Sequence, residues 1–275
     1  MTDHRRRKTC TDSNTTTRSA GGVVGALTSD ARGVSEVIGF ILVFSLVLLT
    51  IVLVYTGGLG GLSDARDVEQ VNNAERAFDV LAENFEKMGR GEAPHRATEI
   101  KLADSRLEMG DLRHFKVNNS SQTVAEVPQH RPIEYHVTSQ SKIVYEHGAV
   151  IRVDDGTATM RREPDFLFGD DRIVIRHVEA GNLQGGQSVS GDTTVLLRSS
   201  LTSSQLLFAD DVSDEITIHL NTTTTRADIW IEYLESEGGE GCTVSSPTED
   251  EVTVSCEFDT GSLQVSKDRI RVDLT

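Results

Sequence analysis

Basic residues are scarce in this chain, and what few cationic clusters it has are confined to one place. Lys and Arg total 27 against 43 Asp and Glu, for a net charge of -16 over 275 residues. The single basic cluster, Arg5 to Lys8, lies near the start. Phosphate backbones are bound by clustered Lys and Arg, so a nucleic-acid role is excluded. Cysteine is equally sparse, with three in all, and none stands at zinc-ligand spacing from His or another Cys. No G-x-S-x-G elbow or phosphate loop is present. Gly186 to Gly191, GQSVSG, is out of register for such an elbow and reads as a loop. The histidines after the first (His95, His114, His130, His136, His147, His177 and His219) are scattered, with no i, i+4 pair on a helix. The doublets Asp154-Asp155, Asp170-Asp171 and Asp210-Asp211 lack the spaced ligands of a calcium loop. The expectation is therefore no catalytic residue, no metal and no cofactor.

What the chain does have is one long apolar run. From Val37 to Tyr55 there is no charged residue, and at a helical rise of about 1.5 Å per residue the run matches the hydrocarbon core of a bilayer. It can cross a membrane once. Up to Gly33 six basic residues face three acidic ones, a net of +3, which leaves -19 for the remainder. A basic leader stays in the cytoplasm, so the acidic mass is expected outside. The expected localisation is a single-pass cell-membrane protein with a cytoplasmic N-terminus and an extracellular C-terminal domain. Arg far outnumbers Lys, and with the abundant acid this resembles the surface of a halophile's protein, where salt screens self-repulsion.

The residues Arg32-Gly33-Val34-Ser35-Glu36-Val37-Ile38-Gly39 and the aliphatic run after them resemble the processing site of archaeal type IV pilins and archaellins. The whole chain resembles a group of haloarchaeal pilin-like surface proteins without an assigned function. The resemblance implies cleavage by a prepilin peptidase between Gly33 and Val34, with the apolar segment becoming the mature N-terminus. It also implies like subunits as partners. Glu36 is a carboxylate at the edge of an apolar helix, where burial without a cation is unfavourable. Haloarchaeal pilins typically show Ser-Pro-Val-Ile-Gly where this chain has Ser35-Glu36-Val37-Ile38-Gly39, and Glu36 would be the third mature residue where bacterial pilins place a glutamate fifth.

Four segments follow from this reading: a disordered leader over 1–33, a span and glycine hinge over 34–61, an amphipathic helix over 62–92 and a β domain over 93–275. Gly57, Gly58, Gly60 and Gly61 predict a break, each glycine disfavouring a helix interior by about 1 kcal/mol. Val68, Val71, Phe78, Leu81, Phe85 and Met88 recur at helical spacing and form a stripe that packs either on its own β domain or on neighbouring subunits. Beyond Pro94 the period falls to two, with short runs such as Glu99 to Glu108, Arg172 to Val178, Ala227 to Leu234 and Asp268 to Leu274 reading as strands. Asp154-Asp155-Gly156 predicts a hairpin, and GNLQGGQSVSG an exposed tip. The expected fold is α+β: an N-terminal transmembrane helix, a juxtamembrane amphipathic helix and an antiparallel β-sandwich-like domain. Cys242 and Cys256 either pair, in a loop whose closure contributes about 3 kcal/mol, or remain separate thiols. Asn118, Asn119 and Asn221 each begin a glycosylation sequon, which would mark exposed loops.

Overall fold

The computed structural model describes residues 30–120, 122–181, 188–246, 248 and 250–275. The leader before residue 30, with Cys10 and Arg5 to Lys8, and positions 182–187 of the expected loop tip lie outside the described residues. The chain divides into two compact units, Met1–Gly61 and Leu62–Thr275.

Helix α1 runs Asp30–Gly89. Its backbone is helical through Gly57 to Gly61, and the boundary between the two compact units falls after Gly61, at this glycine cluster. Glycine weakens a helix but, unlike proline, leaves its N–H in the ladder, and no proline falls in this stretch. The stop comes later. Gly91 takes φ +78°, the Gly91 N–H donates to the Met88 carbonyl and the Glu92 N–H to that of Lys87. This is the glycine-terminated end that a left-handed residue permits.

The rest is mostly strand. In order come β1 (His95–Lys101), β2 (Ser105–Met109), β3 (Arg113–Asn119), β4 (Thr123–His130), β5 (Ile133–His136) and β6 (Ser141–Glu146). They are followed by β7 (Ala149–Asp154), β8 (Thr157–Arg162), β9 (Phe166–Gly169), β10 (Arg172–Gly181) and β11 (Ser188–Gly191). Last are β12 (Thr194–Asp211), β13 (Ile216–Thr222), helix α2 (Thr224–Ser236), β14 (Glu240–Ser245), β15 (Val252–Phe258) and β16 (Ser262–Leu274). These strands form three sheets, β1-β12-β16-β10-β9, β11-β2-β5-β6-β7-β8 and β14-β15-β13-β3-β4. Among the described strand pairs only β10 with β16 is parallel. The architecture is α+β with a mostly antiparallel β-rich domain, as expected.

Two strand readings are corrected. Ala227 to Leu234 is helical, within α2. Its β-branched and aromatic residues suggested a strand, but Ala227, Trp230 and Leu234 are spaced three and four apart and all are buried, which is one face of a helix. Glu99 to Glu108 is two strands, parted at Asp104, whose φ of +56° is a left-handed value that aspartate tolerates. The hairpin at Asp154-Asp155-Gly156 is present, joining β7 to β8 with φ of +46° at Asp155 and +78° at Gly156.

Among the described residues the domain has two apolar cores. In the first, Val71, Ala74, Phe78, Leu81, Phe85 and Met88 of α1 pack with Ile100, Leu107, Tyr135, Tyr145, Val195 and Ile270. The stripe from Val71 to Met88 therefore lies on its own β domain, whereas Val68, which the spacing had included, is exposed. Ion pairs flank it: Glu75 meets Arg152 at 3.0 Å and Arg161 at 3.3 Å, and Glu86 meets Arg162 at 2.7 Å. The second core holds Ala227, Trp230, Tyr233 and Leu234 of α2 with Phe115, Ile151, Ile175, Ile218 and Val254.

Candidate functional site

Two features stand apart from ordinary packing. The first is the apolar stretch of α1. Ser35–Gly57 is long and apolar enough to cross a membrane, and none of it is buried in the protein. Phe40 is 70% exposed and Val54 73%. The hydroxyls of Thr50 and Thr56 donate to the Val47 and Val52 carbonyls at 2.8 Å, so neither needs water or another chain for a partner. Gly33 and Val34 lie in helical backbone, and Glu36 is exposed.

The second is a polar network where all three sheets and α2 converge. β6 turns into β7 through His147, at φ +51°, and Gly148, at φ +96°. This two-residue turn with both φ values positive favours glycine at its second position. His147 is fully buried with its ring 4.8 Å from that of His130 and 5.2 Å from that of His177. Its Nε2 lies 2.9 Å from the Asn221 carbonyl, which only accepts, so that nitrogen carries the proton. In the neutral ring its Nδ1 then accepts, and the His177 Nε2–H donates to it at 2.9 Å. The His147 backbone N–H donates to His130 Nε2 at 3.0 Å. The Nδ1 atom of His177 is buried without a hydrogen-bond partner, and His130 has only the Val178 backbone within reach besides the His147 N–H. Burial, followed by the neighbouring rings, holds His130 and His177 well below the usual imidazole value. Burial likewise lowers His147, although Glu146 opposes it.

Glu146, also fully buried, receives Arg226 Nη2 at 2.7 Å and Nε at 3.1 Å, Thr222 Oγ1 at 2.7 Å and Trp230 Nε1 at 3.2 Å. Burial by itself would raise its pKa. The Arg226 guanidinium, His147 and the Arg226 and Thr222 hydrogen bonds outweigh that and lower it to about 2. Arg226 extends the network outward, its Nη1 lying 3.3 Å from Glu134 Oε1.

Glu134 opens onto the surface. Cross-strand register puts Glu108 opposite Glu134 and Lys142 opposite His136. His136 Nε2 lies 2.9 Å from Glu108 Oε1 and 3.7 Å from Glu134 Oε2, and Lys142 Nζ is 3.3 Å from Glu134 Oε2. Glu108, Glu134 and His136 offer ligand atoms within 4.8 Å of one another, a spacing that could hold a metal ion. The two carboxylates are already matched by Arg106, Lys142 and Arg226, so the group is in the first place an ion-pair network. No chain spacing announced either cluster. The nearest signal is Glu146-His147-Gly148, two polar side chains closing the apolar run of β6.

The remaining sequence candidates do not meet here as a set. Cys242 and Cys256 form a disulfide between β14 and β15, with Cα atoms 4.2 Å apart. The sequons are not uniformly loops, which corrects that expectation. Asn221 is buried in β13 and donates to the Val252 carbonyl at 3.2 Å. Asn118 is half-buried in β3, its amide against His219 at 3.0 Å. Asn119 ends β3 and accepts from the Gln122 N–H in the following turn. Alternation along a strand puts such side chains against their neighbours, which a three-residue motif cannot register.

A family profile described as a family of unknown function (DUF7289) matches residues 32–275. No characterised protein and no solved structure matches the chain.

Proposed function

The chain belongs to the DUF7289 family, whose function is unknown, and we propose that it is a type IV pilin-like, single-pass surface protein without catalytic activity. Its N-terminus is cytoplasmic and its β domain extracellular. A prepilin peptidase cuts between Gly33 and Val34, and the partners are the bilayer and like subunits, with no nucleic acid. The acidic, arginine-biased composition fits a haloarchaeal setting.

One observation carries this reading. Every described residue from Val37 to Tyr55 is exposed although the stretch has no charged side chain. Such a surface is stable only against lipid or other apolar helices. The second reading is an anchored β domain that binds a ligand and never polymerises. It is favoured by the burial of Phe78, Leu81, Phe85 and Met88 beneath the domain's own sheets, which withdraws that stripe from any seam between subunits.

N-terminal sequencing of the membrane fraction and of protein sheared from cells tests the proposal. Processing predicts Val34 as the first residue, whereas an intact Met1 on surface-exposed protein would eliminate it. Protease added to whole cells is expected to degrade the β domain. Glu36→Ala separates the readings, since it impairs filament assembly if the carboxylate meets a neighbour's cation and leaves a simple anchor unaffected.

A further inference from the structure

We propose that the cavity at the N-terminal end of α2 is a binding site for a small monocarboxylate. The cavity measures about 450 Å³, and Arg113, Lys142, Glu134 and Thr223 to Thr225 are among the residues that wall it. Arg113 is only 7% exposed, and its guanidinium makes no hydrogen bond among the described residues. Its Nε stands 3.8 Å from Glu146 Oε1, beyond hydrogen-bond reach, because Arg226 already takes both oxygens of that carboxylate.

The neighbouring groups lack the same kind of partner. Thr223, the N-cap of α2, makes no side-chain cap, and no acidic residue occupies the first turn. Its hydroxyl is buried without a hydrogen bond. The first N–H groups of a helix have no acceptor within it, and the helix dipole places partial positive charge there. The Arg113 guanidinium and the Thr223 hydroxyl can both donate, and neither makes a hydrogen bond among the described residues, whereas the Arg226 N–H of the first turn is taken by the Thr223 carbonyl.

The cavity wall itself is acidic, with Glu108, Asp111, Glu134 and Asp250 against Arg113 and Lys142, so the attraction for an anion is local to Arg113. The contacts that lead from the surface to Arg113 join four cations, Arg106, Lys142, Arg226 and Arg113, to three carboxylates, Glu108, Glu134 and Glu146. His136 sits among them with a charge that depends on pH. Glu146 is shared between Arg226, which takes hydrogen bonds on both oxygens, and Arg113, which stands farther off, so the Arg113 guanidinium is the less fully matched of the two. A planar carboxylate meets a guanidinium through two parallel hydrogen bonds. The rim also carries the exposed carboxylates Asp111 and Asp250, which repel a divalent oxyanion more than a singly charged one. The selection is therefore for a monocarboxylate over phosphate or sulfate.

Thermal unfolding of the full chain in detergent tests the site, with sodium acetate, phosphate, sulfate and chloride compared at neutral pH and matched ionic strength. Acetate is expected to raise the Tm saturably, as a ligand of the native state does, while chloride does not. Arg113→Gln is expected to lose that response. Should Arg113→Gln fail to fold, Thr223→Asp carries the test, because it places the chain's own carboxylate at the helix end. It is expected to raise the Tm in chloride and abolish the acetate response. An absent or unsaturable acetate shift, a larger shift with phosphate or sulfate, or an acetate response that survives in Thr223→Asp overturns the proposal.

Discussion

Phe40 and Phe85 lie on the same helix, yet Phe40 is 70% exposed and Phe85 fully buried. The difference is in their neighbours along the chain. Around Phe40 every face of α1 is apolar, so no face is distinguished from another. Around Phe85, the residues Glu75, Glu83, Glu86 and Lys87 leave one apolar stripe, and a stripe can be covered by a sheet. An all-apolar helix calls for an apolar solvent, whereas an amphipathic one calls for a domain. The contrast has a counterpart inside the domain, where the apolar core around Phe85 adjoins a polar junction held by Glu146, Arg226 and three histidines.

Phe85→Ala strikes the covered half. It should lower the stability of the β domain by about 3–5 kcal/mol, read by denaturant unfolding, and leave membrane retention intact. Comparable damage is expected at the polar junction from Arg226→Met, since a buried carboxylate deprived of its partner destabilises by about 3–5 kcal/mol. If Arg226→Met proved neutral, Glu146 would not depend on the pairing seen here. Leu48→Arg strikes the uncovered half. A charge at a span's centre disfavours insertion by about 2.5–3.5 kcal/mol, so the protein should shift toward the carbonate-extractable fraction with the β domain still folded. Retention of Leu48→Arg in the membrane pellet would mean that this stretch is not the anchor.

Acid should sharpen the contrast within the domain. His130, His147 and His177 have folded pKa values below the ordinary 6.5, so the unfolded chain binds protons first. Their contribution is present above pH 6.5 and is lost as pH falls below it, at up to roughly 1.4 kcal/mol per pH unit for each ring. Glu146, lowered from 4.5 to about 2, adds a second loss between those values. Arg113, Arg226 and Lys267, close enough to disfavour a further positive charge on these rings, deepen the first loss. Denaturant midpoints measured across this range should fall, and His177→Phe should flatten the upper part of the profile. A profile unchanged by that substitution would place the acid sensitivity elsewhere.

The membrane-length apolar helix, the amphipathic stripe and the β-rich remainder were legible in the residues because each is a local pattern. Val37 to Tyr55 needs no partner to be recognised as apolar, and Asp155-Gly156 specifies its turn through its own φ values. The readings that failed depended on distant partners. Ala227 to Leu234 is a helix because Trp230 and Leu234 find a core built from β3, β13 and β15, and Asn221 is buried because β13 lies between β15 and β3. His130, His147 and His177 are far apart in the chain and meet only where three sheets converge. Local pattern thus marked the membrane-length apolar stretch, the amphipathic stripe and most of the strands. Tertiary structure alone decided which polar groups are removed from water together, because that depends on strand order and register across residues with no local means of signalling one another.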